Sequence, residues 1–199
     1  MLAATLPCLA IASPEEGGPK PLDRFYGTLG GSLSTFSNNE FGDQSTSWRS
    51  VHASIGRQFT PKTNLSIDVR FSDSETSTTY PGLPYSITYG YRSLSFSLNS
   101  HRTLYQRGRF SLSAGGGIGI DNGKQRQSYR LDDGQTFFET TESHTRFQYN
   151  LGSNVNWSFT NRLTVSMGYR RSWTVLEEGT WNNSMIDFTL RASVKPQRF

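Results

Sequence analysis

The sequence is short of several things that most folded chains use freely. It has a single cysteine, Cys8, so no disulfide can form within the chain. No stretch approaches the roughly 20 consecutive apolar residues that a membrane-crossing helix needs. Apolar residues make up only 34% of the 199, a low share for a conventional packed core. Charged residues make up 18%, too few for a chain kept unfolded by charge. Lysine occurs at four positions only, Lys20, Lys62, Lys124 and Lys195, and the remaining positive charge sits on scattered arginines. The formal net charge of +4 therefore comes without a lysine-rich run or a motif that reads nucleic acid, and nucleic acid is set aside as a partner. No His/Cys/Asp spacing suits a metal and no phosphate loop follows a strand–helix pattern, so neither a metal nor a cofactor is expected. What the chain does have is aromatic side chains, 13% of residues, 19 glycines, and an abundance of Ser, Thr and Asn.

The N-terminus reads as a processing segment. Residues 1–12 contain the apolar run LAATLPCLAIA, and Ala10-Ile11-Ala12 has the small-x-small form of a signal-peptidase site. A basic stretch ahead of the apolar run is missing, so residues 1–12 are expected to be a signal peptide only if it is truncated, with the true start upstream. Residues 13–24, with Pro14, Glu15, Glu16 and two glycines, read as a flexible leader. Residues 25–199 then form one domain, the size expected of a single fold.

From residue 25 onward the dominant signal is strict two-residue alternation, the mark of strands whose side chains leave opposite faces. Phe25, Leu29 and Leu33 begin it. Val51, Ala53, Ile55 and Phe59 follow, then Leu65, Ile67, Val69 and Phe71, then Leu94, Phe96 and Leu98. Leu112, Ala114, Ile118 and Ile120 mark a fifth strand, and Phe147, Tyr149, Leu151, Val155, Trp157 and Phe159 a sixth. Leu163, Val165, Met167 and Tyr169 mark the seventh, and Ile186, Phe188, Leu190, Ala192 and Val194 the eighth. No helical periodicity competes. Eight strands are expected, most of them eight to sixteen residues long.

The connections between these strands alternate in length. Residues 60–64, 105–109 and 160–162 are short turns rich in Pro, Gly and Asn. Residues 37–47, 73–91, 121–143 and 176–184 are longer, polar, and expected to be loops, with 121–143 the longest irregular segment. Short and long connections in strict alternation suit a barrel in an outer membrane, with short periplasmic turns and long external loops. The faces agree. The polar phase of each strand holds Ser, Thr, Gly, Asn, Arg and His, while lysines and glutamates fall outside strand interiors. Water-facing sheets use Lys and Glu freely; small polar residues suit the confined interior of a narrow barrel, with the apolar phase facing lipid. The alternative is a soluble lipocalin-like ligand-binding barrel with its apolar face inward.

Eight strands, alternating turn lengths, a secretory start and aromatic strand ends resemble the small outer-membrane β-barrels of the OmpA and OmpX type. The resemblance covers residues 25–199 and is architectural. It implies an all-β, closed, eight-stranded antiparallel up-and-down transmembrane barrel in a bacterial outer membrane. Phe199 matches the terminal phenylalanine of such proteins but stands out of phase with Ile186–Val194. Phe25, Phe59, Phe110, Trp157, Phe159, Tyr169 and Trp173 are expected in aromatic girdles at the membrane edges.

An eight-stranded lumen is just filled by side chains, so no open pore is expected. His52, Asp68, Arg70, His101, Arg146, Arg170, Asp187 and Arg191 fall on the polar phase and are expected to plug it as a network, Asp187 countering Arg170 or Arg191. Gly115–Gly117 is expected to leave room opposite bulky inward side chains. Function then rests with the exterior. A structural or surface-interaction role is expected, with outer-membrane lipid, lipopolysaccharide or a protein contacted through external loops, and Arg126, Tyr129, Arg130, Phe137 and Phe138 as the contact residues. An enzyme is the less favoured reading. Some small outer-membrane barrels modify lipid A as deacylases or acyltransferases, and Glu142, Ser143 and His144 are the best local cluster for such chemistry. Adjacent strand residues face opposite ways, however, so Ser143 and His144 are expected to diverge.

Overall fold

The computed structural model describes residues 24–37, 46–79, 84–131, 134–160, 162–176 and 179–194. The segments read as signal peptide and leader, apart from Arg24, lie outside these residues, as do Phe199 and parts of the expected loops. The described chain forms eight strands: β1 (Arg24–Ser37), β2 (Thr46–Thr60), β3 (Thr63–Thr79), β4 (Tyr85–Arg107), β5 (Phe110–Leu131), β6 (Thr136–Ser158), β7 (Leu163–Leu176) and β8 (Gly179–Val194). Each pairs antiparallel with its sequence neighbours, and β1 pairs with β8 from Phe25↔Val194 to Ser37↔Asn182, which closes the barrel. Closure leaves no open edge within the barrel, so the backbone amides of its wall are satisfied by the ladder itself; among the described residues β6 is paired on one side alone over 136–147, before Gln148↔Thr174.

The alternation seen in the sequence becomes an inversion of the usual globular pattern. Leu29, Ile55, Ile67 and Leu151 are 66%, 73%, 61% and 60% exposed on the outer wall. Among the described residues the only buried hydrophobic side chains are Tyr26, Tyr91 and Met185. The buried set is instead polar, from Ser32 and His52 through Asp68, Arg70 and Asn99 to Asp187. This overturns the lipocalin alternative, whose apolar phase would face inward.

Bulky rings gather on the outer wall near the short-turn end. Phe110 lies 4.7 Å from Trp157, and Trp157 stacks on Phe159 at 5.7 Å. The Arg57 guanidinium sits 5.5 Å from the Phe25 ring and 5.4 Å from Phe59. Tyr149 stacks on Trp173 at 5.1 Å farther along the wall, with Arg171 over the same indole.

The short turns stand where the sequence puts them. Pro61 and Lys62 join β2 to β3, and Gly108, at φ 58°, with Arg109 joins β4 to β5. That positive φ is one only glycine adopts freely. The long connections are a correction. Residues 73–79 continue β3, 85–91 open β4, and 121–131 and 136–143 are paired strand in β5 and β6. Strands β3 to β6 accordingly run to 17–23 residues, beyond the expected eight to sixteen, while β1, β2, β7 and β8 stay within it at 14–16. The β5–β6 connection shrinks to residues 132–135, closed by Leu131 N–H donating to the Gln135 carbonyl, with Gly134 at φ 85°. Lys124, Glu75, Glu139 and Glu142 consequently sit in strands. Their segments alternate polar with polar and give no apolar contrast, yet Thr, Tyr and Ser still support extended backbone.

Candidate functional site

The lumen is organised around two aspartates and two arginines. Arg70 on β3 reaches across to Asp187 on β8, Nη1 to Oδ1 at 3.2 Å, and also donates to Ser32 Oγ at 2.7 Å. Arg170 on β7 contacts Asp187 Oδ2 through Nε at 3.1 Å and Asp68 Oδ2 through Nη1 at 3.5 Å. Asp68 accepts further hydrogen bonds from Asn99 Nδ2 at 2.8 Å and Ser66 Oγ at 3.0 Å. Each carboxylate is thus met from two or more strands, as a charge buried in a narrow barrel requires. Asp187 is countered by Arg70 and Arg170; Arg191 instead lies over the Tyr26 ring, 4.1 Å from its centroid. Of the two partners expected for Asp187, Arg170 takes the role, while Arg191 does not. His52 Nε2 shares a hydrogen bond with Thr189 Oγ1 at 3.2 Å.

Glycine makes room for these side chains. Gly117 faces inward beside Asn99, and a Cβ there would collide with Asn99 Oδ1 and the Leu98 carbonyl. Gly115 stands in the same relation to His101. Asn99, fully buried at 0% exposure, therefore exists in its position because β5 carries no side chain opposite it.

Nearer the long-strand end, Tyr91 bridges two strands. Its hydroxyl donates to Asp121 Oδ2 at 2.5 Å and meets His144 Nε2 at 3.1 Å, with the two rings stacked at 5.6 Å. Arg146 is the register partner of Asp121. Sequence reasoning missed Tyr91, Asp121 and Asn99. Alternation places all three on the polar phase of their strands, but the first two fall in segments read as loop. Ser143 pairs with Lys124 on the outer face, while His144 points inward beside Gly123. The nucleophile and base of the enzyme reading thus face opposite sides of the wall.

Strands β4, β5 and β6 run well beyond the apolar belt and end in a cluster of rings. Tyr85 lies 6.0 Å from Tyr129 and 5.9 Å from Phe137; Tyr129 lies 5.8 Å from Phe137 and 5.5 Å from Phe138. A register shift between Tyr129 and Arg130 breaks the alternation in the ladder beside Phe137 and Phe138. Both phenylalanines stay about half exposed, at 54% and 50%. On the outer face of the same ladder Arg126 pairs with Glu139 at 3.0 Å, and Arg130 is exposed beside it. The extension carries all five residues named from the sequence on folded sheet and not on an irregular loop, with Arg126 and Arg130 on its outer face and Tyr129 in the inward phase of Asp121 and Gly123.

Comparison with known proteins agrees with this architecture. The model of the outer membrane protein β-barrel domain matches residues 1–193. Among solved structures, Neisserial surface protein A is similar at a TM-score of 0.61 and 13% identity, covering 84% of this chain and 96% of that one. A major outer membrane protein from Thermus thermophilus aligns at 0.51 and 8% identity, covering 85% and 99%. Ail, the attachment invasion locus protein of Yersinia pestis, aligns at 0.50 and 12% identity, covering 85% and 98%. Among curated proteins no sequence match is found. With an apolar outer wall, a polar lumen and a family match over nearly its whole length, this chain belongs to the outer-membrane β-barrel family and resides in the bacterial outer membrane.

Proposed function

We propose that the closed barrel serves as an anchor and that the extension of β4–β6 is a surface-interaction platform directed at lipopolysaccharide sugars and phosphates. The observation that carries this reading is the ring cluster of Tyr85, Tyr129, Phe137 and Phe138 at the end of three strands that outreach the apolar belt, its two tyrosines partly buried and its two phenylalanines half exposed. Exposed rings present flat apolar faces on which sugar rings stack, and soluble proteins rarely leave such a group uncovered without a partner. Arg126 and Arg130, on the outer face of the same strands, add donors suited to phosphate oxygens. The lumen, filled by its own ion pairs, supports a role as a plug and not as a passage.

The test compares lipopolysaccharide binding by the refolded barrel with binding by Tyr129→Ala/Phe137→Ala and by Arg126→Gln/Arg130→Gln. A loss of tenfold or more in each, with the heat-modifiable gel shift retained, is the expected result. Unchanged binding in both variants overturns the lipopolysaccharide reading and leaves a protein partner as the alternative.

A further inference from the structure

The closed lumen carries, among the described residues, one positive charge more than its carboxylates can answer. Among the described residues, the charged side chains facing the closed interior are Arg70, Arg146, Arg170 and Arg191 against Asp68, Asp121 and Asp187. Arg70 and Arg170 share Asp187 and Asp68, and Arg146 stands in register with Asp121. Arg191 is the remainder. Among the described residues it makes no ion pair, and its guanidinium rests on the Tyr26 ring. A cation inside a wall surrounded by hydrocarbon is costly unless something compensates it.

Arg191 lines a cavity of about 50 Å³ in the half of the barrel nearer the short turns. His52, His101 and Arg170 line the same space, together with hydroxyls such as Thr28 and Thr189. His52 Nδ1 and His101 Nδ1 are buried without a hydrogen-bond partner, so each ring has hydrogen-bonding capacity the protein leaves unused, as a donor in the tautomer that carries its proton there. The space exceeds what a single water needs. Arg191 lies three residues from the end of β8, so the cavity is near the short-turn mouth.

We propose that this cavity is a binding site for a small monovalent inorganic anion, chloride being the abundant one, held by Arg191 and the surrounding neutral donors. The anion neutralises the odd arginine and completes the plug. Monovalency follows from the single excess charge, and from Asp68 and Asp187 in the cavity wall, which repel a dianion.

Two measurements test it. Crystals of the refolded barrel grown or soaked in sodium bromide should show an anomalous bromide peak in the cavity beside Arg191. In solution, the temperature at which the folded gel band is lost should rise and saturate with chloride or bromide, relative to gluconate at equal ionic strength, since a ligand bound only by the native state stabilises it. Arg191→Gln should abolish that halide dependence. A wild-type map with no bromide in the cavity overturns the proposal, and this arm needs no variant to refold. A halide effect of equal size in Arg191→Gln overturns it as well.

Discussion

The closed barrel and the extension of β4–β6 are built from the same strands and a similar set of polar and aromatic residues, yet they treat those residues oppositely. Inside the barrel Tyr91 is buried and its hydroxyl committed to Asp121 and His144; in the extension Phe137 and Phe138 stand half exposed. Arg70 is held by Asp187 and Ser32 with almost no surface, whereas Arg126 pairs with Glu139 while both remain well exposed. The difference is closure. Within lipid a polar group must find its partner in the lumen, so its neighbours are fixed by stability. Above lipid both faces are wet, exposed ion pairs contribute little, and residues are free to serve a ligand.

The largest effect should come from breaking the closed half. Asp187→Asn removes the counter-charge shared by Arg70 and Arg170 and should destabilise the barrel by about 3–5 kcal/mol, read from urea unfolding in lipid vesicles. A midpoint equal to the parent's would mean the network is not holding the lumen. Next comes the outer wall. Leu151→Arg or Val165→Arg sets a charge against hydrocarbon and should cost about 2–4 kcal/mol, while Ser166→Ala on the inner face should cost well under that. Equal stability of the arginine variants would show the faces reversed. Gly117→Ala should cost about 1–3 kcal/mol, because its methyl displaces Asn99 from Asp68; the same change at outward-facing Gly31 should cost less. Smallest of all should be Phe138→Ala in the extension, within about 1 kcal/mol by the same unfolding assay. A larger loss would make the ring cluster part of the fold's own core.

The same contrast explains what the sequence made legible. Where one face meets lipid, alternation is sharp, as in Leu163, Val165, Met167 and Tyr169, and strands, inward residues and short turns can all be read from it. Where both faces are wet, as in residues 121–131 and 136–143, the alternation has no apolar partner phase, and strand looks like loop. The inward direction of Asp68, Arg70 and Asp187 was legible for the same reason. Which arginine meets which aspartate was not. That depends on side chains crossing the lumen between strands distant in sequence, as Arg70 does to reach β8, and no local pattern encodes it. Tyr91 was hidden twice, first within a segment read as loop, then by a partner, His144, 53 residues away.

The claim on which the rest depends is that the β4–β6 extension stands outside the cell while the short turns face the periplasm. In a Cys8→Ser background, single cysteines at Ser143 in the extension and at Lys62 in the β2–β3 turn can be challenged with a membrane-impermeant thiol reagent on intact cells. Strong labelling is expected at Ser143→Cys, and none at Lys62→Cys until the outer membrane is permeabilised. Labelling of Lys62→Cys on intact cells with Ser143→Cys protected would contradict it.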